Sequence, residues 1–279
     1  MKAKVQWRTA IAMSAMMMAW SSNGAAQSLP PVPEFIAKQN TLRVGVRCDQ
    51  PPYGFQDSNG EFAGVETDMA RQLAQWIHGD KNKVTLSCVT AENRIPQLNG
   101  KRVDVLIATL GVTPERQRVI DFSKPYRWGA SGLLVHADSS IQKIKDLNGK
   151  TVAMPKGSVQ AKWFEDNAPE VTTLRLNTAA DSLQALKQKR AEGYAHDEAT
   201  LVVIAAKDPS LRIVNDPYQL SDAAIGVRKN EEQWRDYLSA AVDRMHAEKL
   251  FGGWVAKWVP ENIRGYYIKV FETKRPDRQ

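Results

Sequence analysis

Short apolar runs alternate with stretches of helical periodicity along this chain, and the alternation occurs twice. Residues 41–46 (TLRVGV) have strand length, and Pro51 and Pro52 keep the following loop extended. Residues 64–77 (GVETDMARQLAQWI) place Met69, Leu73, Trp76 and Ile77 at helical spacing. A strand at 83–89, a short helix ending at Gly100 and a strand at 103–108 complete the first series. The second series has a strand at 151–154 and a helix with Ser158 as N-cap. A strand at 171–176, a helix, a short strand running into a helix that starts at Asp197, and a strand at 211–215 follow. A further strand is read at 223–230, and then a helix with Trp234, Tyr237, Leu238, Ala241 and Met245 on one face. The turn LNGK occurs at 98–101 and again at 147–150. Strands alternating with helices indicate parallel sheets of the α/β class. Two similar α/β lobes would face each other across a cleft, with ligand groups at strand ends.

The first 26 residues read as an export leader. Lys2, Lys4 and Arg8 form a basic start, residues 9–20 an apolar core, and Gly24-Ala25-Ala26 a small-residue cleavage site. The alternative is a buried N-terminal helix. The chain of 279 residues carries 38 basic and 31 acidic side chains, a net charge of +7. Without the leader, 35 basic residues stand against 31 acidic, or +4, and they are interspersed. Such a distribution argues against a nucleic-acid partner. Cys48 and Cys88 end the first two strands and are expected to pair in an oxidising compartment; two free buried thiols are the alternative. No metal-ligand spacing, nucleophile elbow or phosphate-binding glycine loop is present in the sequence.

In GVTPER, Thr113 is the expected N-cap of a helix whose first residue is Pro114. Arg116 then stands in the first turn, where the helix dipole disfavours a cation. An anion bound at the helix start would offset that placement, because backbone N–H groups and a guanidinium fork both recognise carboxylates. The bland alternative is a solvated arginine paired with Glu115 or Asp121.

The strings NGEFAGVETDMARQLA, NRIPQLNGKRVDVLIATLGVTPERQRVIDFSKPY and DLNGKTVAMPKGS resemble family 3 extracellular solute-binding proteins, the periplasmic amino-acid receptors of ABC importers. The similarity runs over about residues 42–259, although Val65 is smaller than the residue usual in the Gly64–Met69 pattern. The resemblance implies a two-lobed periplasmic binding protein fold with two parallel-type sheets, flanking helices and two hinge strands, near 128–131 and 220–225. Lobe 1 would comprise 41–129 plus 224–260, and lobe 2 would comprise 130–223. No element is assigned to the tail at 261–279.

By the same resemblance Arg116 would take a ligand α-carboxylate, with Thr109 and Gly111 in the same turn and Ser158 and the Val159 N–H from lobe 2. Asp197 would take the α-ammonium; a plain N-cap is its alternative. Tyr53 is a candidate apolar wall or ordinary core. Arg47 and Arg94 resemble the basic positions of the glutamate- and aspartate-binding members, unless they pair at the surface with Asp49 and Glu92. A periplasmic receptor for glutamate or aspartate follows as the expectation, monomeric, without cofactor or metal, delivering its ligand to a membrane permease. The alternatives are a receptor for a polar neutral amino acid such as glutamine, and a cleft enzyme of the cyclohexadienyl dehydratase type. The latter would need Asp197, Asp49 or Glu92 as acid or base.

Overall fold

The computed structural model describes residues 28–276, so the leader read at residues 1–26 lies outside the described residues. Beside a small three-stranded sheet (Asp49–Gln50, Gly54–Gln56 and Phe62–Ala63), the strands of its main sheet are β1 (Leu42–Val46), β2 (Val84–Cys88), β3 (Val105–Ile107), β4 (Ile120–His136), β5 (Thr151–Pro155), β6 (Thr172–Leu176), β7 (Gly193–Asp197) and β8 (Leu211–Arg228). They form one eight-stranded ladder in the order β2-β1-β3-β8-β4-β7-β5-β6. Within it, β2-β1-β3 is a parallel group for the first lobe and β7-β5-β6 a parallel group for the second. The long strands β4 and β8 run antiparallel to each other through both. The fold is therefore two-lobed, and its two parallel groups are joined into one continuous sheet by the strands that cross between them.

The sequence separates residues 211–215 from 223–230, whereas the structure joins them in β8, with a register shift between Val214 and Gln219. The polar stretch Asn215–Asp222 hides the strand from any apolar pattern, and it can be polar because the sheet is only half-covered where it crosses between lobes. β3 is the opposite case. All three of its residues are buried, as a strand covered on both faces requires.

Helices α1 (Val65–His78), α2 (Arg94–Asn99) and α3 (Pro114–Gln117) belong to the first lobe. Helices α4 (Val159–Asn167), α5 (Ala179–Lys187) and α6 (Glu198–Lys207) belong to the second. Helices α7 (Glu232–Ala247), α8 (Leu250–Trp258) and α9 (Arg264–Glu272) return to the first lobe. Met69, Leu73, Trp234, Leu238, Met245 and Phe251 pack there with Val44 and Ile107. The second-lobe core is smaller, around Leu133, Val152, Met154, Phe164 and Val214. The residues after Pro260, to which sequence patterning assigns no element, fold as α9 and bury Tyr267, Val270 and Phe271 in the first-lobe core. No helix among the described residues is long and apolar enough to cross a membrane.

Cys48 and Cys88 are bonded, with Cα atoms 5.4 Å apart, just beyond the pair Val46 and Cys88 that puts the ends of β1 and β2 side by side. The bond closes a segment of 40 residues that includes α1. Replacing both cysteines by serine should lower unfolding free energy by roughly 3–4 kcal/mol on the chain-entropy account. Urea denaturation of the two proteins measures this; equal midpoints would show that the cross-link leaves the unfolded chain unconstrained.

Candidate functional site

The parallel strand ends of both lobes point into a common cleft of about 440 Å³, part of which is open to solvent. Arg47, Arg94, Thr109, Gly111, Arg116, Ser158, Val159 and Asp197 all line it. Eight of the nine ligand-contact positions expected from sequence thus come together. Tyr53 does not: it is fully buried, packs on Tyr267 and Phe271, and carries the Arg127 guanidinium 4.2 Å above its ring. It is a core residue whose ring meets Arg127, a residue that does line the cleft.

The start of α3 is built as expected. The Thr113 hydroxyl accepts from the Arg116 N–H at 3.3 Å, with Pro114 in the first turn. The Arg116 side chain turns back into the cleft, donating to the Gly111 carbonyl at 2.7 Å and across the lobes to the Gly157 carbonyl at 2.9 Å. Asp121, its alternative partner, pairs instead with Lys229 at 2.7 Å. Burial pulls the Arg116 guanidinium down to about 10. Gly111 leaves room for this arrangement, since a Cβ there would sit 3.3 Å from Arg116 Nη1 and 3.2 Å from Val159. On the other side, Ser158 caps α4 by accepting from the Ala161 N–H, and Val159 opens the helix.

Arg47 and Arg94 are 2% and 3% exposed, so neither is the surface residue of the bland alternative. Arg47 does bond Asp49, through Nε at 3.0 Å and Nη2 at 2.6 Å. The other oxygen of Asp49 accepts from the Ala179 N–H at the start of α5, a contact between lobes. Arg94 has no such carboxylate. Its Nη1 donates to the carbonyls of Ala108 at 2.6 Å and Thr109 at 3.3 Å, while its buried Nε has no partner. Burial, reinforced by Arg116 and Arg47, pushes its guanidinium well below the usual range. Glu92 is exposed, and the Arg94 guanidinium bonds Ala108 and Thr109 rather than Glu92.

Asp197 begins α6 without capping it. Its carboxylate accepts from Arg127 at 3.1 Å and from Gln160 at 3.2 Å. Burial works against its charge, but Arg127, His196 and Gln160 together hold its carboxyl below the usual aspartate range. His196 is driven down to about 4 by burial and accepts the Asp197 N–H at Nδ1, so it is neutral at pH 7.

Sequence reasoning missed Arg127, Gln50 and Gln160, which also line the cavity. Arg127 stands on β4 where that strand crosses between lobes, opposite Ala223 on β8. Gln50 bonds Thr200 of the second lobe at 3.1 Å and accepts from the Thr109 hydroxyl at 2.9 Å. Gln160 also donates to Ser131 on β4 at 2.9 Å. The one available signal was position, since Gln50 follows the first strand within three residues of Arg47 and Gln160 lies in the first turn of a capped helix.

The arrangement can hold a small zwitterion, with the guanidinium groups and Gln50 of the first lobe and its crossing strand facing Gln160 and Asp197 of the second across one cleft. The sequence model of bacterial extracellular solute-binding proteins, family 3, matches residues 42–261. A glutamine-binding protein of Geobacillus stearothermophilus is 36% identical over 203 residues, which cover 72% of this chain and 78% of that protein. Among solved structures, the solute receptor for L-cysteine of Neisseria gonorrhoeae is 26% identical, with a TM-score of 0.78 over 81% of this chain and 92% of its own. An ancestral amino-acid-binding protein described as a precursor of cyclohexadienyl dehydratase is also 26% identical, with a TM-score of 0.75 over 81% of this chain and 98% of that one. The cleft, the crossing strands and the match over most of its length agree, and the chain belongs to family 3 of the bacterial extracellular solute-binding proteins.

Proposed function

We propose that this protein is the periplasmic amino-acid receptor of an ABC importer, and that its ligand is an acidic amino acid, glutamate or aspartate. In this reading the leader is cleaved after Ala26, and the lobes close on one amino acid and present it to a membrane permease. Arg116 takes the α-carboxylate, helped by Ser158 and the N–H groups of Gly111 and Val159. Asp197 takes the α-ammonium with the acceptor capacity that Arg127 and Gln160 leave free.

What carries the acidic assignment is the charge around the cavity. Four guanidinium groups, Arg47, Arg94, Arg116 and Arg127, face or flank it against three carboxylates, Asp49, Glu66 and Asp197. His196 adds no charge, so the site carries an excess of one positive charge, and three of its guanidinium groups, those of Arg47, Arg94 and Arg127, are buried. Glutamate or aspartate brings a net charge of −1 and balances it; a neutral amino acid leaves the excess buried. Arg94, with no carboxylate partner and a free Nε, is the natural recipient of the side-chain carboxylate.

Glutamine is the second reading. The Geobacillus relative and the two amide side chains at the cavity, Gln50 and Gln160, favour it. Catalysis is disfavoured by the same geometry. A general acid or base works best with a pKa near the operating pH. Asp197 is held low by Arg127, Asp49 is committed to Arg47 and Ala179, and Glu92 does not line the cavity.

Calorimetry with glutamate, aspartate, glutamine, asparagine, cysteine, histidine and lysine tests the assignment. Glutamine should bind about 2–5 kcal/mol more weakly than the better acidic ligand, which is roughly thirtyfold to several thousandfold. Lysine should not bind. If glutamine binds tightest, the acidic assignment falls and the receptor reading stands; if the purified protein turns over prephenate, the receptor reading falls as well.

Arg116→Met should abolish binding, with a loss on the order of 3–5 kcal/mol, because it strands a buried carboxylate. The melting temperature should hold, since the guanidinium meets only two carbonyl oxygens. Near-normal affinity in the variant would remove Arg116 from the site.

A further inference from the structure

Thr109 lines the cavity with a backbone φ of 48°, in the left-handed region. Among the described residues the other non-glycine positions with positive φ are three lysines and Asn230; Thr109 alone is β-branched. A β-branched side chain crowds its own backbone there, so the conformation needs an external hold. Glu66 provides one. The Thr109 N–H donates to both of its carboxylate oxygens, each at 3.0 Å. Glu66 is fully buried as the second residue of α1, and the Tyr126 hydroxyl donates to its Oε1 at 2.5 Å. Burial pushes the Glu66 carboxyl up, but every one of these partners is a donor, which fits the ionised carboxylate, and Arg127 and the helix N-terminus favour that charge.

The consequence reaches three groups at the cavity. With its N–H turned towards Glu66, Thr109 presents its carbonyl to Arg94 Nη1 at 3.3 Å and its hydroxyl to Gln50 at 2.9 Å. The preceding carbonyl, of Ala108, takes the same Arg94 nitrogen at 2.6 Å.

We propose that Glu66 is a positioning residue for ligand recognition, which pins the Thr109 backbone in its left-handed conformation and thereby sets the orientation of Thr109, Arg94 and Gln50 towards the cavity. This rests on the cavity being the amino-acid site. Glu66 touches no ligand itself. Its role differs from plain charge balance for Arg127, because the hold acts through one backbone N–H.

The test is a double-mutant cycle with Glu66→Gln and Thr109→Gly, read by calorimetry with L-glutamate, L-glutamine, L-cysteine and L-arginine. Glu66→Gln should weaken the tightest of these about tenfold to a hundredfold. In the Thr109→Gly background the same change should cost little more, since glycine adopts positive φ unaided. An equal cost in both backgrounds would overturn the proposal. Glu66→Asp keeps the charge but shortens the reach by one methylene, so it should also weaken binding; affinity like the wild type would overturn the proposal too. NMR of the threonine amides gives an arm independent of any ligand. The Thr109 amide proton should lie far downfield in the wild type and move upfield in the Glu66→Asp protein. An unmoved Thr109 signal refutes the hold. If the wild type binds none of these four and none of the wider calorimetry panel, aspartate included, the receptor reading fails, and this signal alone decides the role of Glu66.

Discussion

The antiparallel pairing of β4 with β8 is the constraint on which the rest depends. Each strand belongs to both halves of the sheet, so the lobes cannot separate without bending this one ribbon. At the crossing, Ser131, Gly129 and Arg127 oppose Gln219, Ser221 and Ala223. Alternation along a strand puts Arg127, Gly129 and Ser131 on one face. The glycine matters there, because a Cβ at position 129 would stand 2.9 Å from Arg127 Nη1. Two residues further on, Ser131 receives Gln160 from the second lobe. The ribbon therefore carries part of the cavity wall as well as the connection between lobes.

Around that ribbon, charge is arranged so that each lobe is incomplete without the other. Arg127 finds Asp197, Asp49 finds the Ala179 N–H, Arg116 finds the Gly157 carbonyl, and Tyr266 at the first lobe donates to Glu198 of the second at 2.8 Å. These contacts favour closure. The uncompensated guanidinium charge opposes it, because a cation held away from water without a partner is costly. On the proposed reading, an anionic ligand removes the opposing part and leaves the favourable contacts in place. Closure then follows from a difference in affinity between the open and closed forms, as any ligand-driven shift must.

Much of this was legible in the chain. The caps at Thr113 and Ser158 and the strand–helix alternation follow from short-range patterns, the pairing of Cys48 with Cys88 follows from their places at the ends of the first two strands, and the structure agrees with each. What escaped reading depends on partners far away in sequence. Arg127 reads as an ordinary solvated arginine until Asp197, 70 residues on, and the ring of Tyr53 are brought to it. Glu66 falls in the polar first turn of an amphipathic helix, where solvent exposure is the normal expectation; its burial is set by Tyr126 and Thr109. Arg47 shows the converse, because its local pairing with Asp49 was foreseeable but its burial was not.

The placement of α9 has a bearing on how the chain reaches this state. Phe271 and Tyr267 share a core cluster with Ile36 and Leu42, so the first lobe is assembled from both extremes of the described chain. The second-lobe core draws on one uninterrupted stretch, from Leu133 to Val214. A polypeptide delivered amino-end first can complete the second lobe while the first still lacks its final helix. The strands β1 to β3 must then wait, with apolar faces uncovered, for α9 to arrive. Vectorial delivery thus leaves the first lobe as the late-closing and aggregation-exposed part of the molecule, although its strands β1 to β3 are made before any of the second lobe.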